Sequence, residues 1–161
     1  MGYAPNVDAA VFLCHDILPK IHEKIQNAKI LIAGAQPTVK VTNLKSDYIE
    51  VSGWIEDIRK AYSESKIFIA PMRIGTGLQN KLLEAMAMEK ACITTPLANN
   101  ALKAPESSIL VGQTSKELAK HCIHLIENES VRNKFAKEGR KFVQKNYKWT
   151  ETTERLNQLF L

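Results

Sequence analysis

Several features that define large classes of protein are missing from this sequence of 161 residues. It contains no apolar run that approaches the ~20 residues needed for a membrane-spanning helix. A phosphate-binding P-loop is also missing, because neither Gly-Lys-Ser nor Gly-Lys-Thr occurs. After Gly34 the chain continues Ala35-Gln36-Pro37, without the second glycine of the dinucleotide-binding fingerprint. We therefore expect neither a membrane-spanning protein, nor a P-loop enzyme, nor a dinucleotide oxidoreductase.

Patterns that bind metal ions are equally scarce. His121 and His124 are three residues apart on a predicted helix, but no carboxylate or cysteine ligand is obvious beside them. No Asp-x-Asp pair occurs, and such a pair is the usual metal anchor for a nucleotide diphosphate. We expect no metal ion and no cofactor. A bound diphosphate would have to be neutralised by backbone amides and cationic side chains.

Cysteine is rare, with Cys14, Cys92 and Cys122 as the three examples and no CxxC spacing. An odd number of widely separated cysteines argues against a disulfide scaffold. All three fall in predicted helices or strands, where buried free thiols are common. The pattern suits a reducing compartment, and we expect a cytoplasmic protein.

The net charge of +5 permits an anionic ligand or an anionic membrane surface without requiring either. Much of the excess lies in residues 132–148, where basic residues recur around a predicted helix. A solvated helix face is the favoured interpretation, and a membrane-surface or partner patch is the alternative. Peripheral attachment to the inner face of the membrane therefore stays open. Nucleic acid is not an expected partner, because the basic residues are not interleaved with aromatic ones.

Apolar segments alternate with amphipathic ones, and this alternation predicts the fold. Strands that are apolar along their length and separated by helices indicate a parallel sheet covered on both faces. We therefore predict a doubly wound α/β domain spanning residues 1–161. Strands are predicted at residues 29–34, 48–53, 66–71, 91–96 and 108–112. Helices are predicted at residues 8–26 with a kink at Pro19, 55–63, 78–88, 116–128, 130–146 and 150–160.

Ligands of doubly wound sheets bind beyond the carboxyl ends of the strands. Gly34, Gly53 and the loops at residues 71–77 and 96–100 are predicted to lie at that edge. The chain enters its first helix almost at once, so that a first strand is missing or badly shortened. This start suggests a fragment of a longer polypeptide.

Residues 71–96 carry the most informative pattern of the chain. Gly75, Thr76 and Gly77 form a glycine-hinged loop directly before a predicted amphipathic helix, which carries Asn80, Lys81 and Glu84. Backbone N–H groups of Thr76, Gly77 and Leu78 at the helix start could receive a phosphate, with positive charge from Arg73 and Lys81. The Glu84 carboxylate could then accept hydrogen bonds from ribose hydroxyls. A surface ion pair between Lys81 and Glu84 is the alternative on spacing alone, and the glycine loop favours ligand binding.

At these residues the chain resembles the C-terminal domain of retaining family 4 glycosyltransferases of the GT-B fold. The match is closest to bacterial sugar transferases of polysaccharide and glycoconjugate assembly. It covers nearly the whole chain through the segments YAPNVDAA, ILPKIHEKIQNAKILIAG, VSGWIEDIRKAYSESKIFIAP, RIGTGLQNKLLEAMAM, TTPLA and NYKW. The resemblance implies the Rossmann-like, donor-binding half of such an enzyme. The acceptor-binding half would be an N-terminal domain of the same polypeptide that these residues do not contain.

The resemblance also implies roles for individual residues. Glu84 matches the second glutamate of the family's Glu-x7-Glu motif and would bind the ribose. The amides of Thr76, Gly77 and Leu78 would hold the diphosphate of a nucleotide sugar, without a metal ion. Gly53, Trp54 and Ile55 would flank the base, Gly34 would line the same edge, and residues 147–161 would cross to the missing domain.

The chain departs from the family pattern at several positions, two of which flank the predicted helix. Thr76 stands where the motif has its first glutamate, and Glu89 follows the helix where the family has a glycine. No catalytic residue is assigned in this half. Two hypotheses follow: the donor domain of an enzyme that moves a hexosyl group to a glycan or lipid-linked acceptor, or a non-catalytic module that binds a nucleotide or sugar phosphate. The first implies that the isolated domain is inactive.

Overall fold

The computed structural model describes residues 2–75 and 77–147 of the chain. Met1, Thr76 and residues 148–161 lie outside the described residues, and with them the helix predicted at residues 150–160 and its crossing to another domain.

In the described residues, helices and strands alternate as predicted. The strands are β1 (Ile30–Ala33), β2 (Ile49–Gly53), β3 (Ile67–Ala70), β4 (Ala91–Thr94) and β5 (Leu110–Val111). The helices are α1 (Ala4–Phe12), α2 (Leu18–His22), α3 (Val39–Thr42), α4 (Ile58–Glu64), α5 (Asn80–Ala87), α6 (Pro96–Leu102), α7 (Ser115–Glu127) and α8 (Glu129–Asn146). A π-helical turn at Leu13–Ile17 joins α1 to α2.

All the strand pairs are parallel, which confirms the predicted α/β class. β1 pairs with β2, and β4 lies between β3 and β5. The single sheet expected from the sequence is thus divided, within the described residues, into a two-stranded and a three-stranded sheet. Every residue of β4 is buried, as expected for a central strand covered on both faces.

Apolar side chains fill the space between these sheets and the helices in three clusters. One includes Met72, Leu82, Met86 and Leu102, a second Ile17, Ile93, Leu118 and Leu125, and a third Leu18, Ile32, Val41 and Leu44. Full burial of one such side chain stabilises the fold by roughly 1.5–3 kcal/mol. The cysteines Cys14, Cys92 and Cys122 are buried free thiols, as predicted.

The first helix begins at Ala4, four residues earlier than predicted. Pro5 lies in the first turn, where a missing N–H costs nothing because helix-start amides have no partner within the helix. The predicted irregularity at Pro19 takes the form of the π-helical turn directly before it. A proline inside a helix removes one hydrogen bond and clashes with the carbonyl four residues back, and a π turn relieves that clash.

Two helix starts were placed too early by the sequence pattern. α4 begins at Ile58 rather than residue 55, because the Asp57 carboxylate caps it by accepting from the Arg59 N–H at 3.0 Å. α5 begins at Asn80 rather than Leu78, after Gln79 in an extended conformation.

The segment at residues 96–100 was predicted as a loop at the sheet edge and is instead part of helix α6. Pro96 occupies its first turn, a position that suits proline. The Asn99 side chain bonds to both the N–H and the carbonyl of Ala104, which fixes the chain after the helix.

None of the described helices is both long enough and apolar enough to cross a membrane.

Candidate functional site

Two hydrogen bonds fix the backbone where the loop after β3 begins. The Thr94 hydroxyl donates to the Ala70 carbonyl at 2.8 Å, and the Thr95 hydroxyl donates to the Met72 carbonyl. Both threonines are buried on the neighbouring strand end. The loop therefore starts from a fixed position at the carboxyl edge of β3 and β4.

Further along, the backbone conformation of this loop depends on two glycines. Gly75 and Gly77 have φ angles of 93° and 104°, a region of backbone conformation that residues with a side chain rarely adopt. A Cβ atom on Gly75 would lie 3.0 Å from Cγ of Pro5, whereas one on Gly77 would meet nothing within 4 Å. Gly75 thus packs the loop onto the start of α1, and Gly77 leaves the backbone open to solvent.

Arg73 is tied to α1 rather than free. Its guanidinium donates to the Asp8 carboxylate at 2.7 Å and lies 4.2 Å from the centre of the Phe12 ring. The hydrogen bond between the two side chains lowers the pKa of Asp8 and raises the pKa of Arg73. Asp8 thus already neutralises the Arg73 guanidinium in this arrangement, and the expectation that Arg73 brings positive charge to a phosphate stays a prediction.

Lys81 is the cation of this region that keeps its charge uncompensated. Its Nζ donates to Asn6 Oδ1 at 2.6 Å and to Gln79 Oε1 at 3.0 Å, and it contacts Met72 Sδ at 3.7 Å. In the described part of the chain it has no carboxylate partner. Partial burial lowers the pKa of Lys81, since the surroundings disfavour the charged form. An anion at this position would relieve that cost.

Glu84 lies on an exposed face of α5 and is held in place by a tyrosine. The Tyr62 hydroxyl donates to Glu84 Oε2 at 3.0 Å and is 3.3 Å from the Lys81 carbonyl. Tyr62 itself is buried in α4, and burial together with the Glu84 charge raises its pKa, so the phenol keeps its proton. The carboxylate is thereby oriented, while its other oxygen has no hydrogen-bond partner among residues 2–75 and 77–147.

The alternative of a surface ion pair between Lys81 and Glu84 is not realised. Among the described residues, each of the two side chains bonds elsewhere, Lys81 to α1 and Glu84 to α4. Sequence reasoning missed Tyr62, Asn6 and Asp8 as partners. No local pattern marks them, because they lie 22, 75 and 65 residues from the side chains that they contact.

The predicted amides at the helix start need correction. Gly77 and Leu78 precede the first helical residue, Asn80, so that their N–H groups belong to the loop and not to the helix end. Leu78 and Asn80 are exposed. The groups that can meet a phosphate are therefore loop amides near Gly77, at the exposed side of the loop, with Lys81 one residue into α5.

A second group of predicted residues lies at the carboxyl ends of β1 and β2. The Gly34 N–H donates to the Gly53 carbonyl at 3.0 Å, and both glycines have positive φ angles. Trp54 follows with 70% of its surface exposed, and Ile55 is half-buried. An indole exposed to this extent packs against little of the protein and is free to stack on a planar ligand.

The structure thus brings the predicted residues together in two groups. Arg73, Gly75 and Lys81 share contacts with α1, whereas Gly34 and Gly53 are joined to each other. In the described residues no hydrogen bond links the two groups directly. Helix α4 connects them, since it follows Trp54 and carries Tyr62 to Glu84.

The histidines considered for metal binding have other contacts. His121 Nε2 lies 3.2 Å from the Val111 carbonyl, and Asn128 Nδ2 lies 3.4 Å from His124 Nδ1. Over residues 2–75 and 77–147, no group of three or more histidine, cysteine or carboxylate side chains is placed to hold a metal ion.

Several basic side chains of helix α8 form contacts within the protein. Arg132 donates to the carbonyls of Leu125 and Ile126 at the end of α7, and Arg140 pairs with Glu89 at 2.8 Å. Lys141 pairs with Glu138 one turn away. These contacts fit the favoured interpretation of a solvated helix face.

Comparison with known sequences decides the family. The sequence model described as "Glycosyl transferases group 1" matches residues 1–128. The chain belongs to this glycosyltransferase family. The resemblance noted from its motifs is confirmed at that level.

Individual relatives agree with this family. The uncharacterized glycosyltransferase MJ1069 of Methanocaldococcus jannaschii is 26% identical over 153 residues, which are 89% of this chain and 38% of the relative. Among solved structures, the C-terminal domain of the group 1 glycosyl transferase LpcC from Francisella tularensis superposes with a TM-score of 0.69 at 22% identity. That match covers 91% of this chain and 83% of the domain.

A larger structure shows the same fold. Alr3699/HepE of Anabaena, solved in complex with UDP and glucose, matches with a TM-score of 0.77 at 12% identity. The match covers 91% of this chain and 44% of that protein. The chain therefore has the fold of a GT-B glycosyltransferase domain, and it spans less than half the length of these two longer relatives.

Proposed function

We propose that this chain is the donor-binding half of a retaining glycosyltransferase of family 4 that uses a nucleoside-diphosphate sugar and no metal ion. The full-length polypeptide would add an N-terminal acceptor-binding domain and transfer a hexosyl group to a glycan or lipid-linked acceptor. The observation that carries the proposal is the oriented Glu84 carboxylate beside a glycine loop and the uncompensated Lys81. Membership of the glycosyltransferase family and the UDP complex of the Anabaena protein support it.

The chemistry of sugar transfer assigns a part to each of these groups. The bond between the sugar C1 and the diphosphate oxygen breaks, a bond from C1 to an acceptor hydroxyl oxygen forms, and that hydroxyl loses its proton. Negative charge develops on the leaving diphosphate. Loop amides near Gly77 and the Lys81 ammonium would stabilise that charge. In other enzymes a metal ion has this role. Glu84 would hold the ribose and so fix the position of the diphosphate.

A thermal-shift experiment tests donor binding. UDP, GDP and ADP should be compared, and the nucleotide that binds should stabilise the protein by RT ln(1 + [L]/Kd), about 2.7 kcal/mol at a hundredfold excess over Kd. Glu84→Ala should abolish the shift, because the ribose loses its acceptor. Glu127→Ala, an exposed carboxylate on α7, is the matched control and should keep the full shift. An undiminished shift in Glu84→Ala would refute the role of Glu84.

Activity separates the enzyme from a non-catalytic binding module. The enzyme hypothesis predicts that the full-length polypeptide transfers sugar from the donor, whereas residues 1–161 alone bind nucleotide and transfer nothing. Sugar transfer by the isolated chain would contradict the proposed division of labour. A full-length protein that binds nucleotide and shows no transfer or donor hydrolysis would favour the binding module.

A further inference from the structure

The hydrogen-bond partners of Lys81 differ in kind from those of other cations in the described chain. Four of those cations each pair with a carboxylate at 2.7–2.8 Å, namely Arg59, Arg73, Arg140 and Lys141. The Lys81 ammonium instead donates to two side-chain amides, Asn6 Oδ1 at 2.6 Å and Gln79 Oε1 at 3.0 Å. An amide oxygen accepts a hydrogen bond but carries no net charge. The two amides therefore fix the ammonium in place and leave its charge intact.

This arrangement of Lys81 is not explained by the stability of the fold. Burial lowers the pKa of Lys81, and lysine side chains that lose water are usually paired with a carboxylate. Lys90 has a structural role of the common kind, because its Nζ donates to the carbonyls of Ser63 and Ser65 at the end of α4. Neither amide partner of Lys81 is such a helix-end carbonyl. The protein thus holds a charged group at a cost that capping does not repay.

Asn6 reaches Lys81 because the start of α1 is held against the glycine loop on both sides of this residue. Asp8 accepts a hydrogen bond from the loop at 2.7 Å. Two residues on the other side, a Cβ atom at Gly75 would lie 3.0 Å from Cγ of Pro5, so the two backbones are in close contact there. The Asn6 amide is therefore presented to the ammonium from a fixed backbone.

The other ionisable groups around Lys81 have partners of their own. On the same helix the Glu84 carboxylate accepts from the Tyr62 hydroxyl of α4. The Asp8 carboxylate of α1 pairs with Arg73 of the loop. In the part of the chain that the structure describes, no carboxylate pairs with Lys81, and its shortest contact is the one with Asn6.

We propose that Asn6 is a positioning residue of the donor site, whose neutral amide fixes the Lys81 ammonium for the diphosphate without cancelling its charge. A carboxylate at position 6 would also hold the ammonium, but it would compete with the diphosphate for the positive charge. An apolar residue there would leave the ammonium without its shortest hydrogen bond. This inference rests on the proposed donor site and adds a residue of α1 to it.

Replacing Asn6 by aspartate tests the proposal, because the two side chains have the same shape and differ in charge. Calorimetric titration should use the nucleotide among UDP, GDP and ADP that stabilises the unmodified protein, together with its free nucleoside. Asn6→Asp should lower the affinity for the diphosphate by about tenfold or more and leave the affinity for the nucleoside unchanged. Asn133→Asp makes the same change at an exposed residue of α8 and should leave both affinities unchanged.

The pH profile of diphosphate binding distinguishes positioning from a merely structural role. Asn6→Asp should move the decline in affinity to higher pH by about one pH unit or more, because the new carboxylate favours the charged lysine. Asn6→Ala should move the decline to lower pH and reduce the affinity by about threefold to tenfold, because the charged lysine loses an acceptor. In a Lys81→Met background, Asn6→Ala should bring no further loss of affinity.

The outcomes separate this inference from the proposed function. Gln79→Glu places a carboxylate at the same ammonium and repeats the test where circular dichroism shows that Asn6→Asp is unfolded. Unchanged diphosphate affinity in the folded variant, or an equal loss for diphosphate and nucleoside, would overturn the role of Asn6 and leave the donor site standing. A loss caused by Asn6→Ala in the Lys81→Met background would overturn it as well. If the unmodified protein binds none of the three nucleotides, the proposed function fails and this inference fails with it.

Discussion

At the scale of single residues, the site rests on a side chain that the sequence did not mark. Glu84 and Lys81 could be named as candidates from the sequence, because a glycine loop followed by an amphipathic helix is a local pattern. Tyr62 was not, because its contact with Glu84 spans 22 residues and depends on α4 lying beside α5. The pairing of Arg73 with Asp8 was unpredictable for the same reason, and it neutralises one of the two cations assigned to the diphosphate.

Replacing Tyr62 by phenylalanine tests whether Glu84 must be oriented. The substitution removes only the hydroxyl that donates to Glu84 Oε2. A hydrogen bond to a charged group contributes about 1.5–3 kcal/mol, so nucleotide affinity should fall by roughly tenfold to a hundredfold in calorimetric titration. Tyr48→Phe alters a tyrosine 44% exposed on another part of the surface and should leave the affinity unchanged. Equal affinities for Tyr62→Phe and the unmodified protein would assign Tyr62 to stability alone.

Replacing Lys81 by methionine separates binding from stability. The folded pKa of Lys81 lies below its unfolded value, so the unfolded chain binds the proton more tightly at neutral pH and the charged lysine lowers stability there. Lys81→Met should therefore raise the melting temperature of the free protein. Its affinity for a nucleoside diphosphate should fall by about tenfold or more, and its affinity for the free nucleoside should not change. A loss of affinity for both ligands would show that Lys81 does not act on the diphosphate.

The pH dependence of binding follows from the same shift. Diphosphate binding requires the protonated Lys81, so affinity should decline as the pH rises through the lowered pKa of Lys81. The free energy of unfolding of the free protein should rise over the same pH interval, because Lys81 then loses the proton whose charge is disfavoured by burial in the folded state. In Lys81→Met the pH dependence of binding should disappear and the rise in stability should become smaller, because Lys90, whose pKa is lowered too, still contributes to it. Lys137→Met, which alters an exposed lysine of α8, should keep both trends unchanged.

At the scale of elements, strands were easier to predict than helix ends. Each strand is a continuous apolar run, and all five were found within one or two residues of their ends. Helix α6 was missed because its Asn99 and Asn100 are poor helix formers, and a tertiary contact of Asn99 with Ala104 compensates for them. The start of α5 was misplaced for a related reason, since an apolar Leu78 fits the helical pattern but lies in the loop.

The ends of α5 and α6 make a further prediction. Glu89 and Lys103 both have left-handed backbones, with φ angles of 55° and 56°. Such a conformation costs a side chain about 1 kcal/mol, and glycine adopts it freely. Lys103→Gly should therefore raise the free energy of unfolding in denaturant titration by roughly 0.5–1 kcal/mol, a value reduced by the greater freedom of glycine in the unfolded chain.

Glu89→Gly provides the internal comparison. It relieves the same backbone strain but also removes the ion pair with Arg140, so its gain should be smaller than that of Lys103→Gly. Lys103→Ala keeps the strain and should bring no gain. An equal stabilisation by alanine and glycine at position 103 would contradict the explanation from backbone conformation.

At the scale of the whole molecule, the fold class and the family were predictable and the divided sheet was not. The alternation of apolar strands and helices determines a parallel α/β domain, and the motif around Glu84 identifies the glycosyltransferase group. That β1 and β3 stay apart became visible only in three dimensions. The arrangement of the candidate donor site was unpredictable as well, because within the described residues its two groups are connected only through α4.

The central claim is that Glu84 and Lys81 hold the ribose and the diphosphate of a sugar donor. A crystal structure of the protein with its bound nucleoside diphosphate tests it most directly. We predict both ribose hydroxyls within hydrogen-bond distance of the Glu84 carboxylate, which keeps its bond from Tyr62, and phosphate oxygens on the Gly77 loop and the Lys81 ammonium. A nucleotide bound with its ribose away from Glu84, or with its phosphates away from Lys81, would contradict the account.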